Sequence, residues 1–312
     1  MTVMIPFAEC DPHLDWIALT DALAHGHTHP KADVKDVFLY EGDNTLLNRS
    51  AWIPGMGLAV KCATIFPKNT DKGKPAIGGV VNLFSGSDGT LEAILDFHLV
   101  TKWKTAGDSL LAARRLARPD SRNILIVGAG TVGHTLRAAY SAAFPDAQFT
   151  IWNRSPARAE AFCAKYPDTL MAEDLETAVR AADIVTSATM SQTPIIKGDW
   201  LQPGQHIDLI GAFRPDMREA DDTALKRGRV FVDSRETTID HIGELKIPIA
   251  AGAIATTDVV ADYYQMNAFA RNDDTEVTVF KNGGGAHLDL MTSRYILATW
   301  NTIVGNDNEC GI

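Results

Sequence analysis

Residues 123–144 constrain the fold more than any other stretch of the chain. An apolar run, Asn123 to Val127 (NILIV), leads directly into Gly128-Ala129-Gly130-Thr131-Val132-Gly133, and Thr131 to Phe144 then carries helical spacing. The short, continuous run of branched residues suits a strand buried on both faces of a parallel sheet. G-x-G-x-x-G is a weak pattern alone, but between a strand and a helix it has a physical reading. The first glycine permits a tight turn, the second lets backbone approach a pyrophosphate, and the third lets helix pack closely on strand. The N–H groups opening the helix then face phosphate oxygens at the positive end of its dipole. Gly128, Gly130, Thr131, Val132 and Gly133 are therefore expected to hold a dinucleotide.

Downstream, strands and helices alternate. Strands are expected at Gln148 to Trp152, Asp183 to Ser187, His206 to Ile210 and Arg229 to Val232. Helices are expected at Pro156 to Lys165 and Leu175 to Ala181. That rhythm calls for a doubly wound parallel sheet covered by helices on both faces. Upstream, Gly and Pro punctuate shorter strands, Leu58 to Phe66 and Ile77 to Phe84, which reads as a smaller α+β domain. DSLLAARRLAR (108–118) reads as an amphipathic helix stopped by Pro119, and Leu288 to Trp300 as a helix returning to the first domain. The expected class is α/β. Residues 1–118 with 287–312 would form a substrate-binding and dimerisation domain, and 119–286 the dinucleotide-binding domain.

The end of the second strand discriminates between cofactors. A carboxylate there would bind a ribose 2′-hydroxyl, but the chain reads Trp152-Asn153-Arg154-Ser155, with Arg158 following. Two guanidiniums at a helix start oppose the dipole unless an anion sits among them. Arg also pairs with phosphate in a bidentate fork. Asn153, Arg154, Ser155 and Arg158 thus point to the 2′-phosphate of NADPH, with NADH as the alternative.

Composition removes other classes. The net charge of −10 comes without a basic block, against nucleic-acid binding. Cys10, Cys62, Cys163 and Cys310 are widely spaced, without a C-x-x-C pair, which argues against a zinc ribbon or disulfide scaffold. With no basic-then-apolar leader and no apolar stretch long enough to span a bilayer, the expectation is a cytoplasmic protein. His25, His27 and His29 lack a nearby carboxylate or cysteine to complete a metal shell and read as a polar loop before Pro30, so no metal is expected. Asp216, Glu219, Asp221 and Asp222 read as a solvated acidic loop and helix start.

Several segments together resemble the ornithine cyclodeaminase/μ-crystallin family. They are GLAVKCATIFPKN (57–69), KTAGDSLLAARRLA (104–117), ILIVGAGTVG (124–133), IWNRSPARAE (151–160), ADIVTSAT (182–189), IGAFRPDMREADD (210–222), VFVDSRE (230–236) and VFKNGGGAHLDL (279–290). The resemblance implies an N-terminal substrate and dimerisation domain, a Rossmann domain and a C-terminal helix that rejoins the first, in a homodimer. It adds Ser187, Ala188, Thr189 and Gly211 to the cofactor-binding residues. Where cyclodeaminases carry a catalytic Asp, this chain has Phe213, and Ala51 stands near the place of their amine-binding Glu. Ammonia elimination then lacks its general base. The GAFRPDMRE form instead resembles the ketimine-reductase branch. What it implies is NAD(P)H-dependent hydride transfer to the C=N bond of Δ1-pyrroline-2-carboxylate or Δ1-piperideine-2-carboxylate, giving L-proline or L-pipecolate.

By the same resemblance Lys61 would enter the site, contact the substrate carboxylate and donate a proton. Lys104 stands where the family carries an arginine in R-T-A-A. It can neutralise a carboxylate but cannot form the bidentate fork, and Thr105 would add a hydroxyl donor. Residues 1–48 contain no arginine, so the family's N-terminal arginine would fall at Arg49. Asp289, opening the last helix, would cap it, hold the charged imine nitrogen or sit near the nicotinamide, with His287 nearby as a bystander. Substrate contacts are thus expected from Arg49, Lys61, Lys104 and Thr105, and catalysis from Lys61 and Asp289. The same residues also suit an alanine-dehydrogenase-like enzyme, an ornithine cyclodeaminase, or an NADPH-regulated small-molecule binding protein of the μ-crystallin type.

Overall fold

The computed structural model describes Thr2–Glu309, with side-chain burial assigned through Gly305. The chain divides into two compact units, residues 1–104 with 285–312, and residues 105–284. The division falls inside one helix, Phe97–Leu116. Pro119 marks where that helix has ended, not where the units part, so the expected cut at 118/119 lies 14 residues downstream (118 − 104). The helix also begins well before the expected Asp108. Asp96 caps it, accepting from the backbone N–H groups of His98 and Leu99 at 2.7 and 3.0 Å.

The first unit is built on a six-stranded sheet: β1 (Val3–Ile5), β2 (Asp33–Glu41), β3 (Asn44–Ile53), β4 (Gly57–Ile65), β5 (Ile77–Phe84) and β6 (Leu91–Asp96), in the order β1-β6-β5-β4-β3-β2. The β1–β6 pair is parallel and the rest antiparallel. In β4 burial alternates, and Ala59, Lys61 and Ala63 lie on the buried face. The two alanines leave room beside the one long side chain of that row. The helix Ala286–Glu309 belongs to this unit, extends past both ends of the expected 288–300, and buries Leu288, Leu290 and Ile296.

The second unit holds an eight-stranded, all-parallel sheet: β7 (Asn123–Val127), β8 (Gln148–Trp152), β9 (Thr169–Met171), β10 (Ile184–Ser187), β11 (His206–Leu209), β12 (Arg229–Val232), β13 (Val259–Ala261) and β14 (Thr278–Lys281). The order is β13-β12-β14-β11-β10-β7-β8-β9. The chain runs outward from β7 through β8 to β9, then returns to the other side of β7 as β10. The strand order therefore reverses between β7 and β10, where such sheets bind ligands at their carboxyl ends. This is the Rossmann arrangement expected from the alternation of elements, and the helix Thr131–Ala143 follows β7 directly.

Candidate functional site

In the second unit the fingerprint glycines meet three separate constraints. Gly128 has φ +113°, a conformation that L side chains avoid, and a Cβ there would come within 2.9 Å of Ala188 O. A Cβ on Gly133 would collide with Gly128 O. Gly130 is the opposite case: a Cβ there would meet nothing within 4 Å. Gly130 is also the N-cap of the Thr131–Ala143 helix, with no side-chain cap and no acidic residue in the first turn. Open space over N–H groups without a cap is what a pyrophosphate requires, so these residues fit a dinucleotide.

Asn153 ties the second strand end to the fingerprint. Its Oδ1 accepts from Ala129 N at 3.0 Å and its Nδ2 donates to Ser155 O at 3.0 Å. Arg154, Ser155 and Arg158 are exposed at the start of the helix Pro156–Lys165, whose first turn carries no acidic residue. Beyond β10, Ala188 N donates to Val127 O at 2.9 Å, while the hydroxyls of Ser187 and Thr189 turn inward to Glu219. A Cβ on Gly211 would collide with the backbone of Thr189, so the loops after β10 and β11 touch. Phe213 is 60% exposed in the second of these loops.

In the first unit the register of the sheet assembles a charged row. Asp36 on β2 pairs with Arg49 on β3, and Arg49 pairs with Lys61 on β4, so the three point to one face. Asp289 comes from the first turn of Ala286–Glu309. Lys61 Nζ donates to its Oδ1 at 3.1 Å and to Thr101 Oγ1 at 2.8 Å, and lies 4.6 Å from the Phe97 ring centre. Lys104 Nζ stands 3.7 Å from the same Asp289 oxygen. Lys61 and Lys104 are each only 5% exposed and Asp289 only 1%. The guanidinium of Arg49 meets Asp36 at 2.9 Å.

The electrostatics follow from that packing. Burial pushes the Asp289 carboxyl up, but Lys104, Lys61 and Arg49 outweigh it and hold the group below the usual carboxylate range. Asp289 Oδ2 is buried and has no hydrogen-bond partner among the described residues. His287, two residues earlier in the same first turn, is also buried. Burial first, and Lys104 next, push its imidazole down to about 3, so it is neutral near pH 7. Lys61, Lys104 and Asp289 are buried, while Arg49 and Asp36 lie toward the surface.

Arg49, Lys61, Lys104 and Asp289 are therefore brought together. Thr105 is half-buried, and its carbonyl accepts from Asn282 Nδ2 at 3.0 Å within the second unit. The histidine reading needs correction. His25 lies in the last turn of the helix Trp16–Gly26, and His27 is a buried cap whose Nδ1 lies 2.7 Å from Leu23 O. Among the described residues no group of three His, Cys, Asp or Glu could hold a metal. Cys10, Cys62 and Cys163 are thiols, and Cys310 lies outside the described residues.

The acidic run also reads differently in three dimensions. Glu219 is fully buried, Asp221 caps a helix through Ala224 N, and Asp222 begins that helix. Lys281 on β14 and Glu244 are equally buried and were missed from the sequence. Lys281 shows there only as one charge ending an apolar run, and Glu244 carries no signal.

The signature of the ornithine cyclodeaminase/mu-crystallin family matches residues 54–302. The chain belongs to that family. A Delta(1)-pyrroline-2-carboxylate reductase of Paracoccus denitrificans is 48% identical over 300 residues, covering 94% of this chain and 95% of that one. The ketimine reductase mu-crystallin of Rattus norvegicus is 31% identical over 247 residues, 78% of this chain and 77% of its own. Among solved structures, the Thermococcus litoralis Delta(1)-pyrroline-2-carboxylate reductase in complex with NADH and L-proline has the same fold. Its TM-score is 0.87 at 23% identity, over 97% of this chain and 98% of that one.

Proposed function

We propose that this family member reduces a cyclic ketimine carboxylate, Δ1-pyrroline-2-carboxylate and/or Δ1-piperideine-2-carboxylate, to L-proline or L-pipecolate. The observation that carries the reading is the dry cluster of Lys61 and Lys104 on Asp289, in a chain nearly half identical to a named reductase of that substrate. Bound NADPH supplies the hydride that adds to the C=N carbon, and one proton completes the amine.

The chain's own residues do the rest. Lys104 and Arg49 neutralise the substrate carboxylate, and Lys61 stands as both a carboxylate contact and the proton donor. Asp289 Oδ2 accepts the N–H of the protonated imine and so favours its more electrophilic form. Burial of Lys61, Lys104 and Asp289 keeps water from screening their contacts. Thr105 is assigned a supporting hydroxyl contact. Gly128, Gly130, Thr131, Val132 and Gly133 hold the pyrophosphate, and Ala188, Thr189 and Gly211 line the remaining cofactor path, with the fully buried Ser187 supporting them from within through Glu219. Asn153, Arg154, Ser155 and Arg158 give the preference for the 2′-phosphate, with NADH the weaker donor.

Edge strand β2 leaves Val37, Phe38, Leu39 and Tyr40 between 44% and 72% exposed. A long apolar edge of this kind needs a cover, and a second copy of the chain, making a homodimer, is the proposed one. The test of the activity is a comparison of substrates with purified protein. NADPH oxidation is expected with the cyclic imines. Oxidation only with pyruvate and ammonia would favour the amino-acid dehydrogenase. Ammonia release from L-ornithine without net reduction would favour the cyclodeaminase. Tight NADPH binding without turnover on any imine would favour the binding protein.

A further inference from the structure

We propose that Glu219 is a positioning residue that sets the nicotinamide half of the cofactor site, by fixing the loops after β10 and β11 against each other. The inference rests on the dinucleotide reading above. Glu219 has no exposed surface, yet both carboxylate oxygens are fully engaged. Oε1 accepts from Ser187 Oγ at 2.6 Å, from Thr189 N at 2.7 Å and from Thr189 Oγ1 at 2.9 Å. Oε2 accepts from Gly211 N at 2.5 Å and Ala212 N at 3.2 Å. One oxygen holds the loop after β10 and the other holds the loop after β11.

These loops are the carboxyl-end neighbours of the fingerprint. The loop after β10 packs so closely on Gly128 that a Cβ there would lie 2.9 Å from Ala188 O. Gly211 is pressed in turn onto the Thr189 backbone. Three adjacent strand ends are thus stacked, with Glu219 beneath two of them. Because Thr189 N, Gly211 N and Ala212 N donate inward, the outward surface of both loops follows from where Glu219 sits.

Glu219 is itself clamped. Its own N–H and that of Ala220 donate to Glu244 at 2.7 and 3.0 Å. Lys281, fully buried, donates to Leu209 O at 2.7 Å and supplies the positive charge that lets these carboxylates stay inside. Burial holds the Glu219 carboxyl above the usual carboxylate range, and Lys281 with the Ser187 and Thr189 donors offsets only part of that. A structure that needed only a filled core would use apolar groups here at lower desolvation cost. A carboxylate with donors from two separate loops fixes their spacing to hydrogen-bond tolerance.

The experiment compares NADPH with 2′-phospho-ADP-ribose, which keeps the phosphates and adenosine but lacks the nicotinamide. Glu219→Gln replaces an acceptor oxygen by an NH2 that meets N–H donors. NADPH affinity is expected to fall about tenfold or more, with fragment affinity unchanged within about twofold. Thr189→Val, which removes one donor and keeps the shape, should show a smaller loss with the same selectivity, and stands in if Glu219→Gln does not fold. Equal losses for both ligands, or no loss for either, would overturn the assignment. Failure of the unmutated protein to bind either ligand would instead defeat the dinucleotide reading and the assignment with it.

Discussion

Replacing Lys61 by methionine removes the ammonium that touches Asp289 while keeping most of the side chain's volume. At 3.1 Å, and with an effective dielectric constant of about 20, the lost attraction is roughly 5 kcal/mol. Part of it is returned, because the lysine no longer has to be desolvated. Breaking a buried pair by removing one partner typically costs about 3–5 kcal/mol. Lys104 remains 3.7 Å from the same carboxylate oxygen and keeps it partly compensated, so the lower end, about 3 kcal/mol, is expected. The assay is urea unfolding of the wild type, Lys61→Met, Asp289→Asn and the double variant near neutral pH. The double variant should be less damaged than the sum of the singles by about 2 kcal/mol, the signature of coupled charges. A Lys61→Met loss under about 0.5 kcal/mol, with additive singles, would refute the reasoning. It would mean that this pair is screened like a surface contact.

Three further outcomes follow from the same geometry. Arg154→Ala and Arg158→Ala should each weaken NADPH about tenfold and leave NADH nearly unchanged, since each removes a charge-assisted phosphate contact; cofactor titration checks this. Burial, then the neighbouring Glu219, pushes the Glu244 carboxyl up from 4.5 to about 7. A raised folded value means that its stabilising share is complete below the unfolded value and disappears as pH rises through the folded one. Thermal unfolding should therefore drop between about pH 5 and 8, less steeply in Glu244→Gln. Phe38→Lys with Tyr40→Lys on β2 should leave a monomer in sedimentation velocity where the unmutated chain forms the proposed dimer, and an unchanged sedimentation coefficient would contradict the edge assignment.

The second unit was legible because its strands are buried on both faces and spell short apolar runs. Asn123–Val127, Gln148–Trp152 and Arg229–Val232 fall where they were expected, and the fingerprint lies between a strand and a helix as its chemistry demands. The first unit was harder. In β2 and β3 most residues are exposed or half-buried, so DVKDVFLYE carries no clean period of two. β14 went unseen because Lys281 closes a four-residue strand with a charge. The Phe97–Leu116 helix begins eleven residues before the expected Asp108, since Lys102 and Lys104 blur its apolar face.

For the site, residue types told more than spacing. Lys61 and Lys104 could be singled out, but their meeting on Asp289, 228 positions from Lys61, is a product of the fold. Glu219 illustrates the limit. Five donors reach it from two strand ends, so one member of an acidic run that looks solvated in one dimension becomes a fully buried carboxylate beside the fingerprint. Phe213 is exposed in the loop after β11.

Hydride delivery to an imine carbon can be followed atom by atom. NADPH deuterated at the transferring C4 position, incubated with this protein and Δ1-pyrroline-2-carboxylate, should yield L-proline carrying deuterium at C2, one per cofactor oxidised. Proline without the label, or cofactor oxidation without proline, would contradict direct transfer to the C=N bond.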